Sequence, residues 1–166
     1  MRDEGGFDEF YRATSHRLLR YGYALTGDVT DAQDLVQEAY VRAWQRWRRL
    51  AGYDHTEAWV RLVLTRLATD NWRRRRNRRT AMHRTGPPGD VAAPSEDTVL
   101  LAGALRQLPV TQRRAVALHY LYDMSVAEIA TETGAAVGTV KSWLFRGRTA
   151  LAALLDDLAP EATDVS

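Results

Sequence analysis

The sequence of 166 residues predicts an all-α protein built as two small helical bundles joined by a flexible linker. Three observations lead there. Apolar residues recur at helical spacing in every periodic segment, no segment alternates apolar and polar residues as a strand does, and a Gly/Pro-rich interruption separates two groups of helices.

In the first group, Phe7, Phe10, Tyr11, Thr14, Leu18, Tyr21 and Leu25 keep helical spacing, and Gly27 is a natural stop. The run TDAQ at 30–33 has the form of a capping box, in which each side chain satisfies the other's backbone donor. Ala32, Leu35, Val36, Ala39, Tyr40, Ala43, Trp44 and Trp47 then predict one strongly amphipathic helix. Residues 51–58, AGYDHTEA, read as a loop with Thr56 as the cap of a third helix. That helix turns Trp59, Leu62, Val63 and Leu67 inward and ends in NWRRRRNRRT at 71–80. This bundle is expected over residues 1–81.

Residues 82–97, MHRTGPPGDVAAPSED, form the flexible linker. Their prolines and glycines forbid continued helix, and sixteen extended residues reach roughly 55 Å. The second bundle is expected over 98–157, followed by an acidic tail at 158–166. Val99, Ala102, Leu105 and Leu108 mark its first helix, ended by Pro109, and TQRRAVALHYLY at 111–122 its second. SVAE at 125–128 is a capping box that opens a third, which stops at Gly134. The last helix faces Val140, Leu144, Leu151 and Leu155 inward, and Asp156 and Asp157 fall in the polar tail behind it.

With 45% apolar residues the chain can bury a core, and the lack of cysteine excludes disulfides and thiolate metal sites. No apolar run approaches the roughly 18 residues of a membrane span, so a soluble, cytoplasmic protein is expected. The net charge of +2 conceals segregation: residues 1–41 carry −4, residues 42–84 carry +10 and residues 85–166 carry −4. A basic zone flanked by acidic parts points to a polyanionic partner. His16, His55, His83 and His119 are scattered without ligand spacing and read as incidental. Nor is there a metalloprotease, phosphate-loop, dinucleotide or nucleophile-elbow motif, so neither enzyme activity, metal nor cofactor is expected.

Residues 126–144 have the layout of a helix-turn-helix, with Ala130 at the crossing, Gly134 in the turn and Val140 as the anchor. An ordinary helical hairpin fits the same pattern. The second helix presents Thr139, Lys141, Ser142, Phe145, Arg146 and Arg148 with no acid between 135 and 155, as a helix reading DNA needs. In the first bundle Asp34, Gln37, Glu38 and Val41 lie opposite the apolar stripe, where a solvated face is the plain account. The arginines at 73–76, 78 and 79 point all round their helix, so its end projects beyond the bundle. Trp72 reads equally as a core residue and as a platform for an unpaired base.

Together these parts resemble a known family. DAQDLVQEAYVRAW at 31–44 is similar to region 2.2 of bacterial RNA polymerase sigma factors, and residues 57–76 to regions 2.3–2.4. Residues 105–151 resemble regions 4.1–4.2, and the short two-domain chain resembles the extracytoplasmic-function (ECF) group, its arginine-rich style that of actinobacterial members. The resemblance implies that Asp34, Gln37, Glu38 and Val41 dock on the clamp helices of the largest subunit of core RNA polymerase. It implies that the loop 51–58, with Arg61, Arg66, Asn71, Trp72 and Arg73, Arg74, Arg75 and Arg76, reads and melts a −10 promoter element. Thr139, Lys141, Ser142, Phe145, Arg146 and Arg148 would read the −35 element, and an anti-sigma factor is a further expected partner. Three positions depart from the common pattern: Arg66 stands for a frequent asparagine, Trp143 for arginine or histidine, and Thr133 for leucine, which is expected to loosen the turn. The rival readings are a free-standing helix-turn-helix regulator and an RNA-binding protein that uses the arginine block.

Overall fold

The structure is a computed structural model that describes residues 4–77 and 95–158. Every regular element among them is helical, and the chain divides between Pro94 and Ser95 into two compact units.

The first unit comprises α1 (Glu4–Thr26), α2 (Val29–Gln45), α3 (Trp47–Leu50) and α4 (Thr56–Asn77). Gly27 stops α1 in the left-handed region, at φ 67°, where a residue without Cβ has no steric penalty. The next residue, Asp28, is extended and already caps α2, its carboxylate accepting from the Asp31 amide at 2.9 Å. Thr30 is therefore not the cap, and TDAQ is not a capping box. Aspartate is at least as good an N-cap as threonine, and the glycine stop places it there first.

Leu18, Tyr21, Ala32, Ala39, Ala43, Val60 and Leu64 form the centre of this unit. Gly22 lets α1 approach α2, since a Cβ there would meet Val36 Cγ2 at 3.2 Å. The α4 stripe differs from expectation: Val60, Val63 and Leu64 are buried, whereas Trp59, Leu62 and Leu67 are only partly covered. The amphipathic run ending at Trp47 is also not one helix. It breaks at Arg46, whose amide bonds the Ala43 and Trp44 carbonyls, and α3 carries Trp47 and Leu50 back under the bundle. There Phe7, Phe10, Tyr40, Trp44 and Trp47 meet mostly edge to face.

Two buried hydroxyl pairs tie the helices. Thr14 Oγ1 donates to the Phe10 carbonyl and so accepts from Tyr40 Oη at 2.7 Å. By the same logic Thr65 Oγ1 donates to the Arg61 carbonyl and accepts from Tyr21 Oη at 3.0 Å. Burial pushes the Tyr40 hydroxyl well above its ordinary range. Arg17 forks onto Glu57 at 2.8 and 2.7 Å, joining α1 to α4.

The second unit comprises α5 (Glu96–Arg106), α6 (Val110–Tyr122), α7 (Val126–Thr133) and α8 (Val137–Leu158). Glu96 and Asp97, expected in the linker, are thus helical; the rest of that expected linker, apart from Ser95, lies outside the described residues. Ala104, Leu108, Ala115, Leu118, Ile129, Val140 and Leu144 make the core. Arg113 is buried among them, held by the Leu108 carbonyl at 3.2 Å, and burial lowers its basicity. Gly147 marks the α6–α8 crossing, where a Cβ would come within 2.7 Å of Val116 Cγ2. Leu155, expected inside, is exposed, and Asp156 and Asp157 belong to α8 rather than to a tail. His119 is not incidental either. Its Nδ1 lies 2.9 Å from the Met124 carbonyl and closes the bend after α6, where Asp123 takes a left-handed φ of 49°.

Candidate functional site

The helix-turn-helix forms as its local chemistry demands. Ser125 caps α7 by accepting from the Glu128 amide at 3.1 Å, and its hydroxyl donates back to the Glu128 carboxylate at 3.1 Å. Gly134 ends α7 at φ 73° and donates to the Ala130 carbonyl. Thr133, expected to loosen this turn, stitches it instead. Its hydroxyl donates to the Ile129 carbonyl at 2.7 Å and accepts from the Ala135 amide at 3.4 Å.

On α8, Val140, Leu144, Gly147 and Leu151 are buried, so the opposite side carries Gly138, Ser142, Phe145 and Thr149. Small residues at 138 and 142 leave room for close approach, and Phe145 is 69% exposed, the most exposed large apolar residue described. Thr139, Lys141 and Arg146 are exposed beside this line. Arg148 is exposed too, but its Nε donates to the Leu144 carbonyl at 3.2 Å, so that nitrogen lies back along its own helix. Among the described residues no acid lies on α8 before Asp156. An uncompensated cationic helix of this width fits the major groove of duplex DNA.

In the first unit Asp34, Gln37, Glu38 and Val41 share the solvent side of α2, and Val41 is 47% exposed. Glu38 holds Arg42 at 3.1 Å across one helical turn. Together they make an acidic, partly apolar surface with no packing task inside the unit.

On α4 the expected residues separate. Arg66, Arg73 and Arg74 are exposed, Asn71 is partly covered, and Trp72 is 47% exposed and so is not a core residue. Arg75 and Arg76 lie in the last turn of α4, and Arg78 and Arg79 fall outside the described residues. Arg61 departs from expectation: it is 8% exposed, on the same side as the buried Thr65. Arg61 lies on the face of α4 that carries the buried Leu64 and Thr65, so its position around the helix turns it inward. Trp59, Arg66 and Arg73 are spaced by seven residues and therefore lie along nearly one line of α4. Sequence reading missed the corner at α3, because the apolar spacing ran unbroken through Trp47; only the helix break turns Arg48 and Arg49 outward.

Comparison with known proteins agrees on the class. The family described as Sigma-70 region 2 matches residues 10–78, and that described as Sigma-70, region 4 matches residues 98–151. The chain is 34% identical to the RNA polymerase sigma-E factor of Streptomyces coelicolor over 160 residues, covering 95% of this chain and 89% of that protein. It is 36% identical to the ECF RNA polymerase sigma factor SigL of Mycobacterium tuberculosis over 149 residues, with 85% and 84% covered. Its fold is similar to that of the sigma factor RpoE of Bartonella quintana, solved in complex with the anti-sigma factor NepR. The TM-score is 0.67 at 25% identity, over 89% of this chain and 97% of that one.

This chain belongs to the ECF RNA polymerase sigma factors. Proteins of that family are transcription initiation factors and not enzymes. Among the described residues no helix is long and apolar enough to cross a membrane.

Proposed function

We infer that this protein binds core RNA polymerase and directs promoter-specific initiation, its second unit reading a −35 element and its first a −10 element. The observation that carries this reading is the division of exposed chemistry. An acidic, partly apolar face on α2 suits a protein partner, whereas α4 and α8 expose cations and aromatics that suit nucleic acid. Asp34, Gln37, Glu38 and Val41 are proposed to dock on the clamp helices of the polymerase's largest subunit. Thr139, Lys141, Ser142, Phe145 and Arg146 are proposed to enter the −35 major groove, with Arg148 on phosphate.

At −10 the strands separate, and unstacking costs a few kcal/mol per base. Arg66, Asn71, Trp72 and the arginines at 73–76 offset that by holding phosphate and stacking on unpaired bases. Arg61, being buried, acts by positioning α4 rather than by touching DNA. The mechanism needs no reacting residue: the factor supplies specificity and strand opening to the polymerase. An anti-sigma factor is proposed as a partner, by likeness to the Bartonella protein, and the cytoplasm as the place of action.

Run-off transcription with core polymerase on a random promoter library tests the reading. The expected result is initiation from a subset of templates sharing two spaced elements. Replacing Asp34, Gln37 and Glu38 together by alanine should abolish both core association and this selectivity while leaving DNA binding by the second unit intact. Unchanged association in that variant would leave only a free-standing DNA-binding protein. Tighter binding to structured RNA without polymerase would favour the RNA-binding rival.

A further inference from the structure

The outward side of α5 carries chemistry that the reading above does not use. Buried Ala102, Ala104, Leu105 and Leu108 fix which side of this helix faces the core. Leu101 lies on that inner side too, although it is 44% exposed. The opposite side carries Glu96, Val99, Leu100, Gly103, Arg106 and Gln107. Val99, expected in the apolar stripe, is 50% exposed there, and Leu100 is 46% exposed.

Gly103 sits in the middle of this outward side. A Cβ there would meet nothing within 4 Å, and its φ lies outside the left-handed region, so the fold itself has no need of glycine. Alanine is the better helix former at such a position. Gly22 and Gly147 are small because a neighbouring helix crosses them, whereas no described helix packs on Gly103. A glycine flanked by exposed Val99 and Leu100 lets a second helix come in at the close end of the usual separation, about 8 Å.

The charges along the same side choose the occupant. Glu96 stands at its start and Arg106 at its end, both exposed, and neither forms an ion pair among the described residues. Lying about 15 Å apart along the helix, they cannot pair with each other. A parallel second copy would set glutamate against glutamate. An antiparallel copy, on a two-fold axis between residues 100 and 103, sets each Glu96 beside the other copy's Arg106. It also sets each Leu100 over the other copy's Gly103. The side is therefore self-complementary, as an interface between identical subunits on a two-fold axis has to be.

We propose that a second copy of this chain docks antiparallel on the outward side of α5, with Val99 and Leu100 seated around the opposing Gly103. Two Glu96–Arg106 pairs fix the orientation. Exposed ion pairs add little affinity but exclude the wrong register. One short helix face falls well below the roughly 800 Å² per partner of a standard interface, so the association is weak and depends on concentration. The inference goes beyond the promoter reading and does not depend on it.

Sedimentation velocity of the full chain, from about 1 µM to about 1 mM, tests this. Wild type should shift from monomer toward dimer across that span. Leu100→Asp, Glu96→Arg and Arg106→Glu should each raise the dimer dissociation constant by about tenfold or more, because every change enters the interface twice. Glu96→Arg combined with Arg106→Glu should recover most of that loss. Both charge changes oppose the helix dipole, so the recovery cannot come from a more stable α5. Gly103→Ala should raise the Tm while weakening the dimer, the opposite pairing to that of a misfolded variant. A wild type that stays monomeric throughout overturns the proposal. So does a dimer unchanged in Leu100→Asp or Gly103→Ala, or a double charge variant no better than the single ones. A monomeric wild type whose binding to core polymerase is lost in Leu100→Asp also overturns it, and gives this side of α5 to the polymerase.

Discussion

Gly147 shows how far one residue governs the second unit. Alanine usually improves a helix interior by about 1 kcal/mol over glycine. Here its methyl would sit 2.7 Å from Val116 Cγ2, and the β-branched valine has little rotamer freedom with which to yield. Overpacking wins, so Gly147→Ala should destabilise the unit by about 1–3 kcal/mol in urea unfolding. Val116→Ala in the same chain should recover most of that loss; a simple sum of two losses would refute the steric account. Tyr40 makes the matching point in the first unit. Its pKa is raised by burial, so its contribution to stability is complete below the ordinary value of 10.0 and declines as pH rises above it. Tyr40→Phe should cost about 1 kcal/mol near neutral pH, through the lost bond to Thr14, and should flatten the alkaline decline. Thermal melts from pH 7 to 11 measure both.

At the scale of elements, periodicity and glycine stops were enough to read nearly every helix. Gly27, Gly134 and the Ser125 cap act locally, through one φ angle or one side chain, and local signals are legible in a sequence. What escaped reading was set by neighbours. Asp28 took the cap from Thr30 because the preceding helix ended immediately before it. Leu155 is apolar at the right spacing yet exposed, because α8 outruns the core it packs on. Arg61 reads as a surface cation but lies inside, and α3 was invisible because a helix break leaves apolar spacing nearly intact. The candidate sites on α2 and α8 were legible as faces with no packing role; the α3 corner required the break at Arg46 to be seen. Thr56 likewise looked like a cap, and its hydroxyl instead braces the preceding loop. Thr56→Val should cost about 1 kcal/mol and slow promoter opening while core association is unchanged. Permanganate footprinting of the opened strand, beside a pull-down, measures the two effects separately.

Across the whole molecule, exposed charge is sorted by element. On the function proposed, the acidic side of α2 and the cationic sides of α4 and α8 keep the surfaces for protein and for DNA electrostatically distinct, which suppresses binding in the wrong sense. A salt titration should resolve this sorting. Lys141→Ala should reduce the slope for duplex −35 DNA by about 0.9, and Arg73→Ala should reduce that for single strands by about 0.7. Neither should alter the affinity for core polymerase, and a change there would mean the surfaces are not separate. The same sorting operates within α8 alone. Gly147, Val140 and Leu144 hold the helix, while the exposed Gly138, Phe145 and Thr149 and the half-covered Ser142 occupy the opposite side. If α8 reads the promoter as proposed, its preference can therefore drift, or be re-engineered, by exchanging outward residues at little cost to folding: the reading head is interchangeable on a fixed mount.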